Sequence, residues 1–163
     1  MDENAQFKLA FNLVGSEFTD RVKYYALSWW PARSIVSKSI EYRFNVDKSG
    51  SIFVLGQHAP WKSHLFDIEK ELGLLNEELK YVMYTDQSGA WRIQCVSVSE
   101  NSFTNRLSMP KEWCGLRDEE LSKVADVKDC IFVHMNGFIG GNKSYEGALE
   151  MLQKSLAMQK TEA

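Results

Sequence analysis

Cysteine, histidine and proline are scarce in this sequence, with three of each among 163 residues. The cysteines, Cys95, Cys114 and Cys130, are odd in number and form no C-x-x-C pair. That excludes a disulfide framework and a cysteine zinc site, and fits a reducing compartment inside the cell. The histidines, His58, His64 and His134, are scattered. Long apolar runs are also missing. Stretches such as Tyr24–Leu27 and Ile52–Leu55 stop at four residues, far short of the roughly 20 needed to span a bilayer. The first residues, MDENAQ, are acidic and polar, unlike a signal or transit peptide. There is no basic excess either, since 19 Lys and Arg face 22 Asp and Glu. The global positive field of an autonomous nucleic-acid binder is absent, which leaves only local basic patches.

What the chain does have is aromatic side chains, 9 Phe, 6 Tyr and 5 Trp. Disordered segments lack these. A chain of this length buries about 70% of its unfolded surface, so it is read as one globular domain over residues 1–163. Phe7, Phe11, Val14, Phe18, Val22, Tyr25 and Trp29 recur every three or four residues, which predicts a helix over 6–30 with that face buried. Pro31 ends or kinks it and opens a second helix carrying Ile35, Val36, Ile40 and Phe44. A short strand over 51–55 follows. Pro60 opens a helix with Trp61, Leu65, Ile68 and Leu72 inside and Gly73 as its cap.

Segments 79–85 and 90–98 predict a hairpin through Asp86-Gln87-Ser88-Gly89, with Trp91, Ile93 and Cys95 on one face and Arg92 and Gln94 on the other. Residues 99–115 read as an irregular connection. A short acidic helix, an apolar strand over 129–135, a Gly-rich turn over 136–142 and a last helix from Lys143 or Ser144 to about Met158 complete the order. The tail after Gln159 is expected to fray. The fold class is α+β, a small mostly antiparallel sheet with helices packed on it.

The sharpest chemical signal is Gly137-Phe138-Ile139-Gly140-Gly141-Asn142-Lys143-Ser144 between a predicted strand and a predicted helix. Free backbone N–H groups and a positive helix end would converge there on an anion, with Lys143 adding charge. It falls one residue short of a P-loop, because Asn142 stands where glycine is required. His134 lies just before the turn. Arg92 and Arg106 are candidate phosphate contacts, and Lys62 and His64, at a helix start, are weaker ones. His64 and Asp67, three apart, do not make a metal site without a further ligand. Cys114 has no base partner that would mark it as a nucleophile. No catalytic or metal-ligating residue is assigned, and no cofactor is expected on this chain alone.

Five strings taken in order, WWPARSIV, APWKSHLFDIEKELG, YVMYTDQSGAWRIQCV, SFTNRLSMPKEWCGLRDEELS and CIFVHMNGFIGGNKSYEGALEM, resemble the C-terminal half of the melanocyte-proliferating-gene (MYG) exonuclease family, within the DHH phosphoesterase superfamily. The resemblance implies the substrate-binding lobe of a metal-dependent phosphodiesterase that trims RNA from its 3′ end. An N-terminal lobe would carry the metal ligands, typically for manganese. Gly140, Gly141 and Asn142, after His134, match the position of the family's phosphate-holding glycine motif, which in the wider superfamily ends in His. The expected partners are RNA or nucleotide phosphate and the catalytic lobe in cis or trans, with a homo-oligomer left open and no membrane. The expected location is the nucleus and the mitochondrion or cytoplasm. The rival reading is a non-catalytic interaction domain whose helices over 6–44 mediate assembly.

Overall fold

A computed structural model describes residues 2–74 and 78–160, so the expected fraying beyond Gln159 falls largely outside the described residues. The chain begins with a long helical rod. α1 (Glu3–Tyr24) runs through one π-helical turn (Tyr25–Trp29) into α2 (Trp30–Glu41). The π turn has a local cause. Pro31 has no N–H to give the carbonyl of Leu27, and the Trp30 N–H bonds back five residues to the Tyr25 carbonyl instead. After the short α3 (Arg43–Val46) come β1 (Ile52–Val54), α4 (Lys62–Leu72), β2 (Tyr81–Thr85), β3 (Trp91–Cys95), a 3₁₀ turn (Lys111–Trp113), α5 (Asp118–Ala125), β4 (Cys130–Val133), β5 (Ile139–Asn142) and α6 (Tyr145–Lys160).

The five strands form one sheet in the order β1-β2-β3-β5-β4, parallel only between β1 and β2. The α+β class and the mostly antiparallel sheet are therefore as expected. Alternation along each strand sorts the core into two layers. Ile52, Tyr81, Met83, Ile93, Cys95 and Val133 face one way and pack with Trp113, Leu121, Ala148, Met151 and Leu152 from the 3₁₀ turn, α5 and α6. Phe53 and Val82 face the other way and pack with Val36 and Ile40 of α2 and Leu65 and Ile68 of α4. This second layer covers the β1–β2 side only. Toward β5 and β4 the same face carries Arg92, Ile139 and Phe132, all half-buried.

Three expectations are corrected. The face of the first helix is not buried, since Phe11, Phe18 and Tyr25 are 68%, 71% and 49% exposed and α1 buries no residue. The period is helical as read, but no described element covers α1. Leu72, placed in the α4 stripe, is exposed. The Gly-rich turn is two structures. His134–Gly137 makes the turn, closed by the Gly137 N–H on the His134 carbonyl, and Ile139–Asn142 is a strand paired on both sides.

Candidate functional site

The open part of the sheet is built around Arg92 and Gly141, which are directly cross-strand. On its other side Gly141 faces Phe132 of β4. Because Gly141 has no side chain, the Arg92 guanidinium lies over the strand and reaches the Phe132 ring, 5.2 Å from its centroid. Arg117, bridged to Phe132 from the segment before α5, approaches the same ring at 5.7 Å. Two guanidinium groups thus flank one aromatic ring above a bare strand. Arg117 is exposed and has no carboxylate partner among the described residues. Arg92 Nη1 is buried with no hydrogen-bond partner. A planar, forked cation with an unused donor suits the oxygen pair of a phosphate or carboxylate.

The edge of this face is set by the β2–β3 turn. Arg92 Nη2 pairs with Asp86 at 2.6 Å. The Ser88 hydroxyl is the main cause holding the Asp86 carboxyl below its ordinary range, with Arg92 adding to it. Tyr84, opposite Arg92, donates to Gln94 Oε1 at 3.0 Å, and burial raises its pKa. His58 lies edge-on to Tyr84 with ring centroids 6.1 Å apart. His58, Tyr84 and Asp86 line a cavity of about 680 Å³ together with Arg92 and Ile139. His134 is exposed just beyond β4, its Nδ1 accepting the Asn136 N–H at 3.1 Å and its ring 4.7 Å from Phe138.

The structure brings Arg92 and Gly141 to one sheet face and puts the other sequence candidates elsewhere, His134 among them, beyond β4 against Phe138. Gly140 points into the opposite layer, against Val133 and Met109. Asn142 is fully buried, donating to the Lys128 carbonyl at 2.7 Å and accepting the Ser144 N–H at 3.0 Å, so it ties β5 to the start of α6. The N–H groups of the glycine run serve the ladders to β3 and β4 and are not gathered toward a ligand. Lys143 sits over Asp129 at 3.9 Å. The start of α6 is capped by its own Ser144, whose Oγ accepts the Gly147 N–H. It opens on a cavity lined by Glu119, Asp126, Asp129, Glu146 and Glu150 against Lys123 and Lys128, a negative surround that opposes an anion.

Arg106 is an internal residue. It makes a bidentate pair with Glu69 (2.5 and 2.8 Å) and donates to the carbonyls of Leu79 and Ser97, with both charged side chains 2% exposed. His64 is buried under Trp29. Its Nε2 donates to the Trp29 carbonyl at 2.7 Å while the Trp29 indole donates to Ser63, so it fastens the π turn to α4. Lys62 stays half-exposed at the first turn of α4. Burial raises the Cys114 thiol above its ordinary range, and Glu112 adds to this, which leaves little thiolate.

Arg117, Phe132, Tyr84 and Asp86 escaped the sequence reading as site residues. Phe132 was readable only once β5 is known to be a strand. Arg117 carried a faint signal, a lone cation directly before the acidic turn of α5.

Across the whole length, the pattern of this chain is a known one. The family model MYG1_exonuc, described as "Uncharacterised protein family (UPF0160)", matches residues 1–156. The chain belongs to this family. It is 48% identical over 153 residues to the MYG1 protein of Dictyostelium discoideum, covering 94% of this chain and 46% of that protein. It is 46% identical over 159 residues to the MYG1 exonuclease of Rattus norvegicus and 47% to that of Homo sapiens, covering 97% of this chain and 42% of each relative. The chain thus spans less than half the length of these relatives. No solved structure matches it. The MYG1_exonuc match includes α1, so the exposed helix is part of the family's pattern. Among the described residues, no group of three or more His, Cys, Asp or Glu could hold a metal ion, and no helix is long and apolar enough to cross a membrane.

Proposed function

We propose that this chain is the substrate-holding lobe of a MYG1-type exonuclease, binding the phosphates of an RNA 3′ end on the Arg92–Gly141–Phe132–Arg117 face. The observation that carries this reading is the unused Arg92 Nη1 donor above Gly141. Arg92 and Arg117 clamp phosphate oxygens from two sides. Phe132 keeps the two cations apart and excludes water beneath them. The described residues of this chain do not fit a divalent metal. In the whole protein the manganese-type site and the cleavage of the phosphodiester belong to the N-terminal lobe, in cis or trans. The DHH-superfamily likeness and the location inside the cell, in nucleus and mitochondrion or cytoplasm, rest on the sequence resemblance.

A 5′-labelled short oligoribonucleotide titrated into the chain tests this. Arg92→Gln and Arg117→Gln should each weaken binding and each flatten the slope of log affinity against log salt by about 0.7, the value for one lost phosphate contact on a single strand. Binding indifferent to both substitutions would overturn the site. With manganese the isolated chain should leave the RNA intact. Cleavage that follows the protein through purification would overturn the division of labour between lobes.

A second reading has its own observation. Phe7, Phe11, Val14 and Phe18 are all 68% or more exposed on α1, a stripe that suits an interaction domain joining the catalytic lobe or another copy of the chain.

A further inference from the structure

Beside the phosphate face, a cavity of about 320 Å³ lies between the 97–105 segment and the β4–β5 hairpin. Its outer wall is Phe103, 101% exposed. That exposure is built in. Ser97 and Asn105 are bridged, the Val98 N–H donates to the Thr104 carbonyl, and the buried Arg106 holds the Ser97 carbonyl, so the segment is a small braced hairpin with Phe103 near its tip. Phe138 lines the facing side.

The polar groups between these rings are amides with unspent valence. Gln94 accepts from Tyr84 through Oε1, which leaves its NH₂ to donate. Asn105 donates its NH₂ to Ser108, which leaves Oδ1 to accept. The Asn136 side chain has no partner among the described residues, and neither has the Lys62 ammonium at the rim.

We propose that this cavity takes the base of a nucleotide, stacked on Phe103 with its edge read by Gln94, Asn105 and Asn136. Aromatic platforms with amide edges suit a nucleobase, which offers a π-face and an alternating donor and acceptor edge. A purely apolar protein anchor would leave three amides unpaired. The placement fits the neighbouring site. Gln94 is two residues from Arg92 on the same face of β3, about 7 Å along the strand, so a phosphate on Arg92 and a base in the cavity are joined by one sugar. This deepens the phosphate-binding reading and rests on it.

The test uses the full 163-residue chain and a short RNA carrying 2-aminopurine at its 3′ end, with ribose 5-phosphate as the probe that lacks a base. Phe103 makes no core contact, so Phe103→Ala should melt like the parent. It should bind the RNA roughly 5- to 150-fold more weakly, the usual range for one lost stacking partner, abolish the quenching of 2-aminopurine, and leave ribose 5-phosphate binding unchanged. Quenching and affinity untouched by Phe103→Ala but lowered by Arg92→Gln would overturn the base site and leave the phosphate face standing. Binding indifferent to both would overturn the two together. A Phe103→Ala change that alters the oligomeric state in sedimentation while quenching persists would make Phe103 a protein contact and overturn the proposal.

Discussion

Arg92 and Gly141 are a matched pair, for a Cβ built at 141 would stand 2.9 Å from Arg92 Nη1 and 2.9 Å from the Trp91 carbonyl oxygen. The guanidinium takes its position because residue 141 has no side chain. Gly140 is equally confined on the other face, where a Cβ would meet the Phe132 carbonyl oxygen at 2.8 Å.

Alanine at either glycine should therefore destabilise the sheet by a similar amount, about 1–3 kcal/mol for an overpacked site. Only Gly141→Ala should also weaken oligonucleotide binding, because only it displaces Arg92. Denaturant melts paired with anisotropy titrations separate the two effects. Equal losses of affinity for both variants would show that the sheet, and not the arginine, is what the ligand senses.

The Glu69–Arg106 pair gives a stability prediction separate from the phosphate face. Both side chains are 2% exposed, and Arg106 also lies 5.3 Å from the Phe66 ring. Glu69→Ala strands a buried guanidinium and should cost about 3–5 kcal/mol, whereas Glu69→Leu with Arg106→Met should cost far less. Phosphate affinity should be unchanged in any variant that remains folded. An Arg106 substitution that keeps the melt and loses ribose 5-phosphate binding would return this residue to the phosphate site.

These residues also show what the sequence could and could not reveal. The β2–β3 hairpin was legible because Trp91, Ile93 and Cys95 alternate with Arg92 and Gln94, and that period is the sheet itself. β5 was hidden because Ile-Gly-Gly-Asn has no side-chain pattern to alternate. It is a strand because β3 and β4 hold it on both sides. Glycine next to a helix reads locally as a turn, and the expected anion cradle followed from that. Arg106 looked like a surface cation because arginine usually is one, and its partner lies 37 residues away in sequence. Arg92 was legible as a residue on the polar face, but its unused donor needed the neighbouring strand. The five strings that resemble the MYG family carried the lineage, which periodicity alone did not.

The α1 stripe yields the next expectation. A helical period states that a face is apolar and says nothing about what covers it. With Phe18 at 71% exposure, Phe18→Ala should change the stability of this chain by less than about 0.5 kcal/mol, as exposed substitutions do. Val36→Ala, in the same rod but wholly buried against α4 and β1, should cost about 2 kcal/mol or more by cavity formation. A large loss at Phe18, growing with protein concentration, would show that the face is already covered by a second copy.

Asp86 provides a pH test of the ion pair at the rim. Its carboxyl accepts from the Ser88 hydroxyl at 2.6 Å, the Ser88 N–H at 2.8 Å and the Ala90 N–H at 3.1 Å, and pairs with Arg92. These contacts, the Ser88 hydroxyl foremost, lower its pKa from the ordinary 3.8. The folded chain thus favours the ionised form, so the stabilisation is fully present above 3.8 and is lost as pH falls through the lower folded value. Asp86→Asn should be less stable than the parent at neutral pH, and the gap should shrink as acid protonates the parent's carboxyl. The same substitution removes the anion that competes for Arg92, so oligonucleotide binding at neutral pH should tighten. Melts from neutral pH down into the acid transition, run beside RNA titrations, check both halves. A gap that stays constant with pH would remove the ionised carboxylate from the account of the turn. Unchanged RNA affinity would show that Arg92 does not exchange Asp86 for a phosphate.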